Sequence, residues 1–143
     1  MDLLDLVHSP PVAVSPEDSV MTAIDCSLPA RVGAVAVVKA NRLVGIFTER
    51  DVMLKVVHKG LDARKTTVGA VMTPNPQTAS RDMSPRDALR LMLNKHIRHL
   101  PVVEDSGELV GMLSIRNVLQ FMVEHLDQDL RFIEDYVGIA RHA

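Results

Sequence analysis

The sequence contains two copies of one pattern, and this internal repeat restricts the fold more than any other feature. A shift of 65 positions aligns residues 37–38 with residues 102–103. After one extra residue in a loop, a shift of 66 aligns residues 43–52 with residues 109–118, and six of these ten pairs are identical or exchange Thr for Ser. Similarity at a fixed period indicates one structural unit that is used twice.

Each copy predicts two helices. Ser84 is followed by Pro85, which is typical of an N-cap with proline at the first helical position, and Ser19 takes the same place in the first copy. A second helix is predicted to begin at Thr48 in the first copy and at Ser114 in the second. The apolar face expected for the helix after Ser84 consists of Ala88, Leu89, Met92 and Leu93.

Between its helices each copy has two apolar runs that are separated by a polar turn. The runs cover residues 35–38 and 43–47 in the first copy, and residues 100–103 and 109–113 in the second. Such runs predict a β-hairpin. The fold class is therefore α/β (α+β), with tandem β-α-β-β-α repeats. Because one copy of about 60 residues buries its apolar faces poorly, we expect the two to pack sheet to sheet with pseudo-twofold symmetry.

The repeat and its flanks divide the chain into four segments. They are a first repeat at 1–60, a connector at 61–76, a second repeat at 77–125 and a C-terminal amphipathic helix at 126–143. Proline residues at the end of the connector predict that a short turn there stops before the second repeat.

Apolar residues recur at spacings of three and four in the last segment. They are Leu126, Leu130, Ile133, Val137 and Ala140. This spacing puts them on one face of a helix, and we expect Leu130, Ile133 and Val137 to form a buried stripe. The pattern fits packing on the same subunit and packing on a partner equally well.

Composition excludes several classes of function. Sixteen basic residues stand against 18 acidic residues, which argues against a general nucleic-acid interface. The longest apolar stretch, residues 32–38, is too short to span a bilayer. The N-terminus lacks the basic and apolar regions of a secretion signal, and the lone Cys26 cannot form an intramolecular disulfide. We expect a cytoplasmic protein without nucleic-acid or membrane contacts.

The sequence offers little for catalysis. It has neither GxGxxG nor a Walker pattern, and it has no activated nucleophile or carboxylate cluster for a metal. His96 and His99 are three residues apart, but no third metal ligand stands at a recognisable spacing. We therefore expect no enzyme, no catalytic cofactor and no metal site.

Three motifs carry a resemblance to a known family. The pattern Gly-apolar-x-[Ser/Thr]-x-x-[Asp/Asn] occurs at residues 45–51 and again at 111–117. Val-Met-Thr-Pro stands at 71–74, and Ile-Arg-His-Leu-Pro-Val-Val at 97–103. Together they resemble the CBS-domain family over about residues 7 to 124. The short length and the terminal helix resemble small stand-alone CBS-pair proteins.

The resemblance implies two clefts that bind an adenine nucleotide between the repeats. In the family, the Ser/Thr hydroxyl meets phosphate and the carboxylate meets the ribose diol. The first cleft would combine Thr48, Asp51, Thr78, Ala79, Ile97, Arg98, His99 and Arg116. The second would combine Ser114, Asn117, Val12, Val14, Val32, Gly33 and Ala34. A helix N-terminus suits an anion, and one carboxylate accepts both ribose hydroxyls.

The same residues also fit a purely structural role. Thr48 with Asp51 reads as a capping box, in which the hydroxyl and the acid only satisfy the start of a helix. Asn117 stands where the family prefers an acid, and its amide offers one acceptor oxygen instead of two. We therefore expect the second cleft to bind weakly or not at all.

The leading hypothesis is a regulatory or sensor module that binds AMP, ADP, ATP or NADH without catalysis. Two Arg and one His in the first cleft favour these anions over S-adenosylmethionine, whose net charge is positive. The alternative is a ligand-free dimerisation or scaffold module that acts through protein contacts. Either module would form a homodimer, and either leaves room for an unidentified protein target. The dimer would cover the apolar face expected on the second helices, which consists of Val52, Val56, Val118, Leu119 and Met122.

Overall fold

The computed structural model describes residues 2–7, 10–125 and 133–137. It has the α+β architecture that the repeat predicts. A 3-10 turn at Leu3–Leu6 precedes the first repeat. The first repeat comprises β1 (Ala13–Val14), α1 (Val20–Ala30), β2 (Ala34–Lys39), β3 (Arg42–Thr48) and α2 (Glu49–Asp51), which continues as a π-helical segment at Val52–Val57.

The second repeat follows a short helix and strand in the connector. The connector holds α3 (Val68–Val71) and β4 (Thr73–Pro74). The second repeat comprises α4 (Pro85–Lys95), β5 (His99–Val103), β6 (Leu109–Ser114) and α5 (Ile115–Glu124). Across the three described ranges, no helix is both long and apolar enough to cross a membrane.

The strands form one sheet in each repeat. The first sheet has the order β1-β2-β3-β4, and the second consists of β5 and β6. β1 runs parallel to β2 with Val14 opposite Val37, and in the second repeat Ala79 forms a single parallel bridge with Val102. Both pairs are related by the shift of 65. The first strand of the second repeat is thus reduced to one bridge.

Equivalent residues begin and end the first helix of each repeat. Ser19 and Ser84 cap α1 and α4 by accepting from the backbone N–H three residues on. Arg31 and His96 end these helices in the left-handed conformation, each with φ of 55°. A residue other than Gly adopts this conformation at a cost, so both ends depend on the hydrogen bonds that the cap N–H makes to the last turn.

A reciprocal pair of hydrogen bonds joins the two repeats. The Leu43 N–H donates to the Gly107 carbonyl at 3.2 Å, and the Leu109 N–H donates to the Asn41 carbonyl at 3.4 Å. The two bonds are equivalent under the repeat, because the donor and the acceptor of one are 66 positions from the donor and the acceptor of the other. Arg42, which forms an antiparallel bridge with Glu108, lies between them. This pattern is that of a pseudo-twofold axis passing between the two hairpins.

The short apolar segment that precedes each repeat belongs to the core of the other half. Leu3 and Leu6 belong to the core that is otherwise built from the second repeat. Val68 and Val71, the residues 65 positions later, belong to the core of the first repeat. The N-terminus is fastened further by an ion pair of 2.7 Å between Asp2 and Arg81. The connector is therefore a structural part of the first half.

One expectation about an apolar face is corrected by the structure. Ala88, Leu89 and Met92 are buried as predicted, but Leu93 is 38% exposed because it faces away from the core. In the terminal helix, Ile133 packs on the core of the second repeat, whereas Val137 is 44% exposed on its own chain, so its burial against a partner stays a prediction.

The rest of the predicted stripe, including Leu130, lies outside the described residues. Tyr136 donates to the Asn94 side chain at 3.3 Å, so the described part of the terminal helix contacts α4 of its own chain.

Candidate functional site

The start of α2 positions Thr48 and Asp51 together. The Thr48 hydroxyl accepts from the Asp51 backbone N–H at 3.2 Å, and the Asp51 carboxylate accepts from the Thr48 N–H at 3.0 Å. This reciprocal arrangement is a complete capping box. It fixes both functional groups at the end of β3, where the strand gives way to the helix.

The Asp51 carboxylate has further partners within the first half. It is 6% exposed, the one buried charged residue among those that the structure describes. The Lys55 ammonium lies 3.0 Å from its Oδ1. The Thr73 hydroxyl donates to the same carboxylate, at 3.2 Å to Oδ1 and 3.3 Å to Oδ2. Asp51 is thus satisfied inside the protein and covered on its solvent side.

The start of α5 repeats the capping box with an amide. The Asn117 side-chain oxygen accepts from the Ser114 N–H at 2.9 Å and from the Ser114 hydroxyl at 2.7 Å. Phe121 stands at the position of Lys55, 66 residues later, so Asn117 has no corresponding cation in its helix. A surface cavity of about 320 Å³ opens beside Asn117 and Phe121.

The residues that lead into β2 and β5 lie against the helix starts of their own repeats. The Gly33 carbonyl accepts from the Glu49 N–H at 3.0 Å, and the Arg98 carbonyl accepts from the Ile115 N–H at 2.9 Å. A side chain at position 33 would meet the Glu49 carboxylate, because an added Cβ would lie 3.3 Å from it. Within each repeat, a hydrogen bond therefore holds the residue that leads into the strand against the helix start that carries the motif.

One electrostatic contact connects the first motif with the second repeat. Burial lowers the pKa of the His99 imidazole, the Glu49 carboxylate raises it, and the Arg98 guanidinium lowers it further. Glu49 follows Thr48 directly, so His99 lies within electrostatic range of the first motif. Because the net shift is downward, His99 is neutral at pH 7 and contributes a hydrogen-bonding ring instead of a full charge.

The remaining predicted residues of the first cleft differ in exposure. Arg98 and Arg116 are exposed, Thr78 is half-buried and Ala79 is buried. Ala79 is held beside β5, since its N–H donates to Pro101 at 2.9 Å and its carbonyl accepts from Val103 at 3.0 Å. Both Arg residues are accessible to solvent, and their joint role in one cleft stays a prediction.

The residues expected in the second cleft occupy equivalent places. Val14 and Ala34 are buried, Val12 and Gly33 are half-buried, and Val32 is 37% exposed. These side chains carry no charge. The residues 65 positions after Val32, Gly33 and Ala34 are Ile97, Arg98 and His99, so the corresponding segment of the second repeat carries polar side chains.

Three residues that contact the motifs were not singled out in the sequence. Glu49 adds a negative charge beside His99, and Lys55 and Thr73 bind Asp51. Lys55 follows Asp51 by four residues, a spacing that pairs side chains on a helix and could have indicated the contact. Thr73 lies in the Val-Met-Thr-Pro motif, but its contact with Asp51 depends on the pairing of β4 with β3.

The model of the CBS domain matches this chain twice, over residues 3–58 and 68–124. The chain therefore belongs to the CBS-domain family and contains two CBS domains, as the motifs predict. The second match begins inside the segment that the repeat pattern marks as a connector.

A plant protein is similar to this chain over most of its length. CBSX3, a mitochondrial CBS domain-containing protein of Arabidopsis thaliana, is 33% identical over 126 residues, which are 85% of this chain and 61% of CBSX3. The chain spans only 16% of the length of two longer CBS domain-containing proteins from the same plant. The chain thus covers less than two thirds of these curated relatives.

Two solved structures of similar proteins contain AMP. The CBS domain protein PAE2072 from Pyrobaculum aerophilum, complexed with AMP, has a TM-score of 0.74 and 28% identity, and the match covers 82% of this chain and 89% of that chain. CBSX2 in complex with AMP has a TM-score of 0.72 and 28% identity, covering 86% of this chain and 96% of that chain.

Proposed function

We propose that this CBS pair is a regulatory module that binds an adenine nucleotide in the cleft between its two repeats and catalyses no reaction. The observation that carries the proposal is the twofold occurrence of a Ser/Thr-capped helix start, with the first motif in electrostatic range of His99 from the other repeat. The AMP complexes of two similar proteins support the class of ligand.

The chemistry of the first cleft suits a nucleotide. A helix start attracts phosphate through the positive end of its dipole. Arg98 and Arg116 are exposed cations, and guanidinium groups bind phosphate in two-pronged geometry. AMP, ADP, ATP and NADH all carry the ribose diol and the phosphate that these groups recognise.

A ligand-free scaffold is the second candidate, and one observation favours it. Both capping boxes are closed by bonds within the protein, and Asp51 has a complete set of partners without any ligand. In a scaffold these residues would only stabilise the helix starts, and the protein would act through a protein target. For either module we propose a cytoplasmic location. The alternative compartment is the mitochondrion, which the name of the plant relative gives for that protein.

Thermal melting of dialysed protein with separate additions of AMP, ADP, ATP, NADH and S-adenosylmethionine separates the two candidates. A ligand at 100 times its dissociation constant adds roughly 2.7 kcal/mol to stability, which raises Tm by several degrees for a chain of this size. We expect stabilisation by at least one of the four anions and none by S-adenosylmethionine. A panel in which no nucleotide changes Tm would favour the scaffold.

We further propose a homodimer, which would cover apolar side chains on the second helices of both repeats. The sequence had suggested Val52, Val56, Val118, Leu119 and Met122 for this face, but all except Leu119 are buried or half-buried. The exposed residues are instead Met53, Leu54, Val57, Leu119 and Val123. Exposed apolar residues on the second helices of both repeats favour association with a second copy.

Charge placed on this face should dissociate the dimer. Val57 is 70% exposed and Val123 is 59% exposed, so Val57→Glu and Val123→Glu leave the core intact and put a carboxylate into the proposed interface. Light scattering at micromolar concentration should return a dimer for the parent and a monomer for both variants. Leu28→Glu, at a 68% exposed position on α1, is the matched control and should stay dimeric. A monomeric parent contradicts the proposal.

A further inference from the structure

We propose that Lys55 and Thr73 form a latch over the Asp51 carboxylate, and that nucleotide binding must open this latch. The two residues would then set the affinity of the first cleft without touching the ligand themselves. The inference rests on the proposed function, because it assumes that Asp51 receives the ribose diol.

The Asp51 carboxylate has a limited number of acceptor sites. A carboxylate offers about four lone pairs. In the structure these meet the Thr48 N–H, the Thr48 hydroxyl, the Thr73 hydroxyl and the Lys55 ammonium. A ribose diol brings two more donors, so it cannot bind until two of the present donors leave.

The four donors to the Asp51 carboxylate differ in how easily they can move away from it. Thr48 belongs to the capping box, and its departure would open the start of α2. Lys55 and Thr73 lie on the solvent side, with 41% of the Lys55 side chain exposed against 8% for Asp51. The Thr73 backbone is held in β4 opposite Ile46, so its hydroxyl can turn away by side-chain rotation alone. These two donors therefore make the movable part of the cluster.

The second repeat differs from the first in the helix that follows its motif. Phe121 stands in the place of Lys55, and α5 is α-helical from Ile115 to Glu124. In the first repeat the segment after Asp51 is π-helical and contains Lys55. π-helical segments are uncommon and occur frequently at functional sites. The latch and the unusual helix thus occur together, and only in the repeat whose motif ends in Asp.

A closed latch lowers the apparent affinity by the fraction of molecules in which it is open. Removing one latch donor should therefore tighten binding, although it makes the free protein less stable. Thr73→Val keeps the β-branched shape and the strand pairing while it deletes the hydroxyl. We expect AMP to bind about tenfold more tightly to this variant, which equals the loss of one hydrogen bond to a charged group.

Calorimetric titration with AMP tests the latch in the full chain. The set comprises the parent, Thr73→Val and Lys55→Met, with Thr67→Val and Lys59→Met as controls at exposed positions nearby. Melting curves without AMP accompany each titration. The latch predicts tighter AMP binding together with a lower Tm for Thr73→Val and Lys55→Met. Both values should be unchanged in the controls. Thr73→Val alone decides the test if Lys55→Met fails to fold.

The outcomes separate the latch from the proposed function. If the parent binds AMP and Thr73→Val binds equally or more weakly, the latch is wrong and the nucleotide site stands. If the parent shows no binding and Thr73→Val binds, the latch is supported, because the closed state hides the site. If none of the proteins binds AMP, both proposals are overturned for this ligand.

Discussion

Replacing Leu3 with alanine should lower the free energy of unfolding by about 2 to 5 kcal/mol, the usual range for truncating a buried leucine. Leu3 is 1% exposed and lies in the core of the second repeat, although it precedes the first. The turn that carries Leu3 contacts β6 and α5, so a cavity at this position removes apolar contacts from the core of the second repeat. Urea unfolding measures this loss of stability as a lower midpoint concentration, with an unchanged slope of the unfolding free energy against urea concentration.

Leu28→Ala is the matched control for this prediction. Leu28 is 68% exposed on α1, so the same truncation there should change stability by less than about 0.5 kcal/mol. If Leu3→Ala unfolds like the control, the N-terminal turn does not belong to the second core, and the exchange of segments between halves is wrong.

Much of this fold could be predicted from the sequence, because helix caps and hairpins depend on residues that are close together in the chain. The N-caps at Ser19, Thr48, Ser84 and Ser114 all begin helices in the structure, because capping depends on residues within one turn. The hairpins follow for the same reason, since each joins two apolar runs through a short turn. The pseudo-twofold relation followed from the repeat itself.

The exchange of core segments could not be predicted in this way. Leu3–Leu6 and Val68–Val71 are each a single turn, which is too short to show a period. The sheet on which such a turn packs is decided by the path of the chain between the halves. For this reason the connector was expected to link the repeats and not to complete a core.

The solvent-facing side of the second helices was also misjudged. Val56, Val118 and Met122 are apolar and helical, and they fit an exposed interface as well as a core. In the structure Val56 belongs to the core of the first repeat, and Val118 and Met122 belong to the core of the second. A period of 3.6 residues identifies a face but does not say which partner that face meets.

The candidate site was predictable in its motifs and not in its contacts. Thr48 and Asp51 meet as the spacing indicates, since three residues separate the partners of a capping box. The contact between Thr73 and Asp51 spans 22 positions and depends on the pairing of β4 with β3. Roles for Arg98, Arg116 and the other cleft residues stay predictions until a ligand is measured.

The last prediction is that the two clefts bind a nucleotide unequally, and that Asp51 accounts for the difference. Its carboxylate has two acceptor oxygens for the ribose diol, whereas the Asn117 amide has one. The first cleft also has Arg98 and His99 where the second has Gly33 and Ala34. We expect one strong site in a calorimetric titration of the parent.

Substitutions at the two motif positions test this inequality directly. Asp51→Ala should weaken nucleotide binding roughly tenfold or more, since losing a hydrogen bond to a charged group costs about 1.5 to 3 kcal/mol. Asn117→Ala should change the affinity little. Asp51→Asn is the control for folding, because Ser114 and Asn117 already show that an amide closes the capping box. This variant should keep the start of α2 and still lose affinity. Two equal sites in the parent, or a larger loss from the Asn117 change, would reverse the assignment of the clefts.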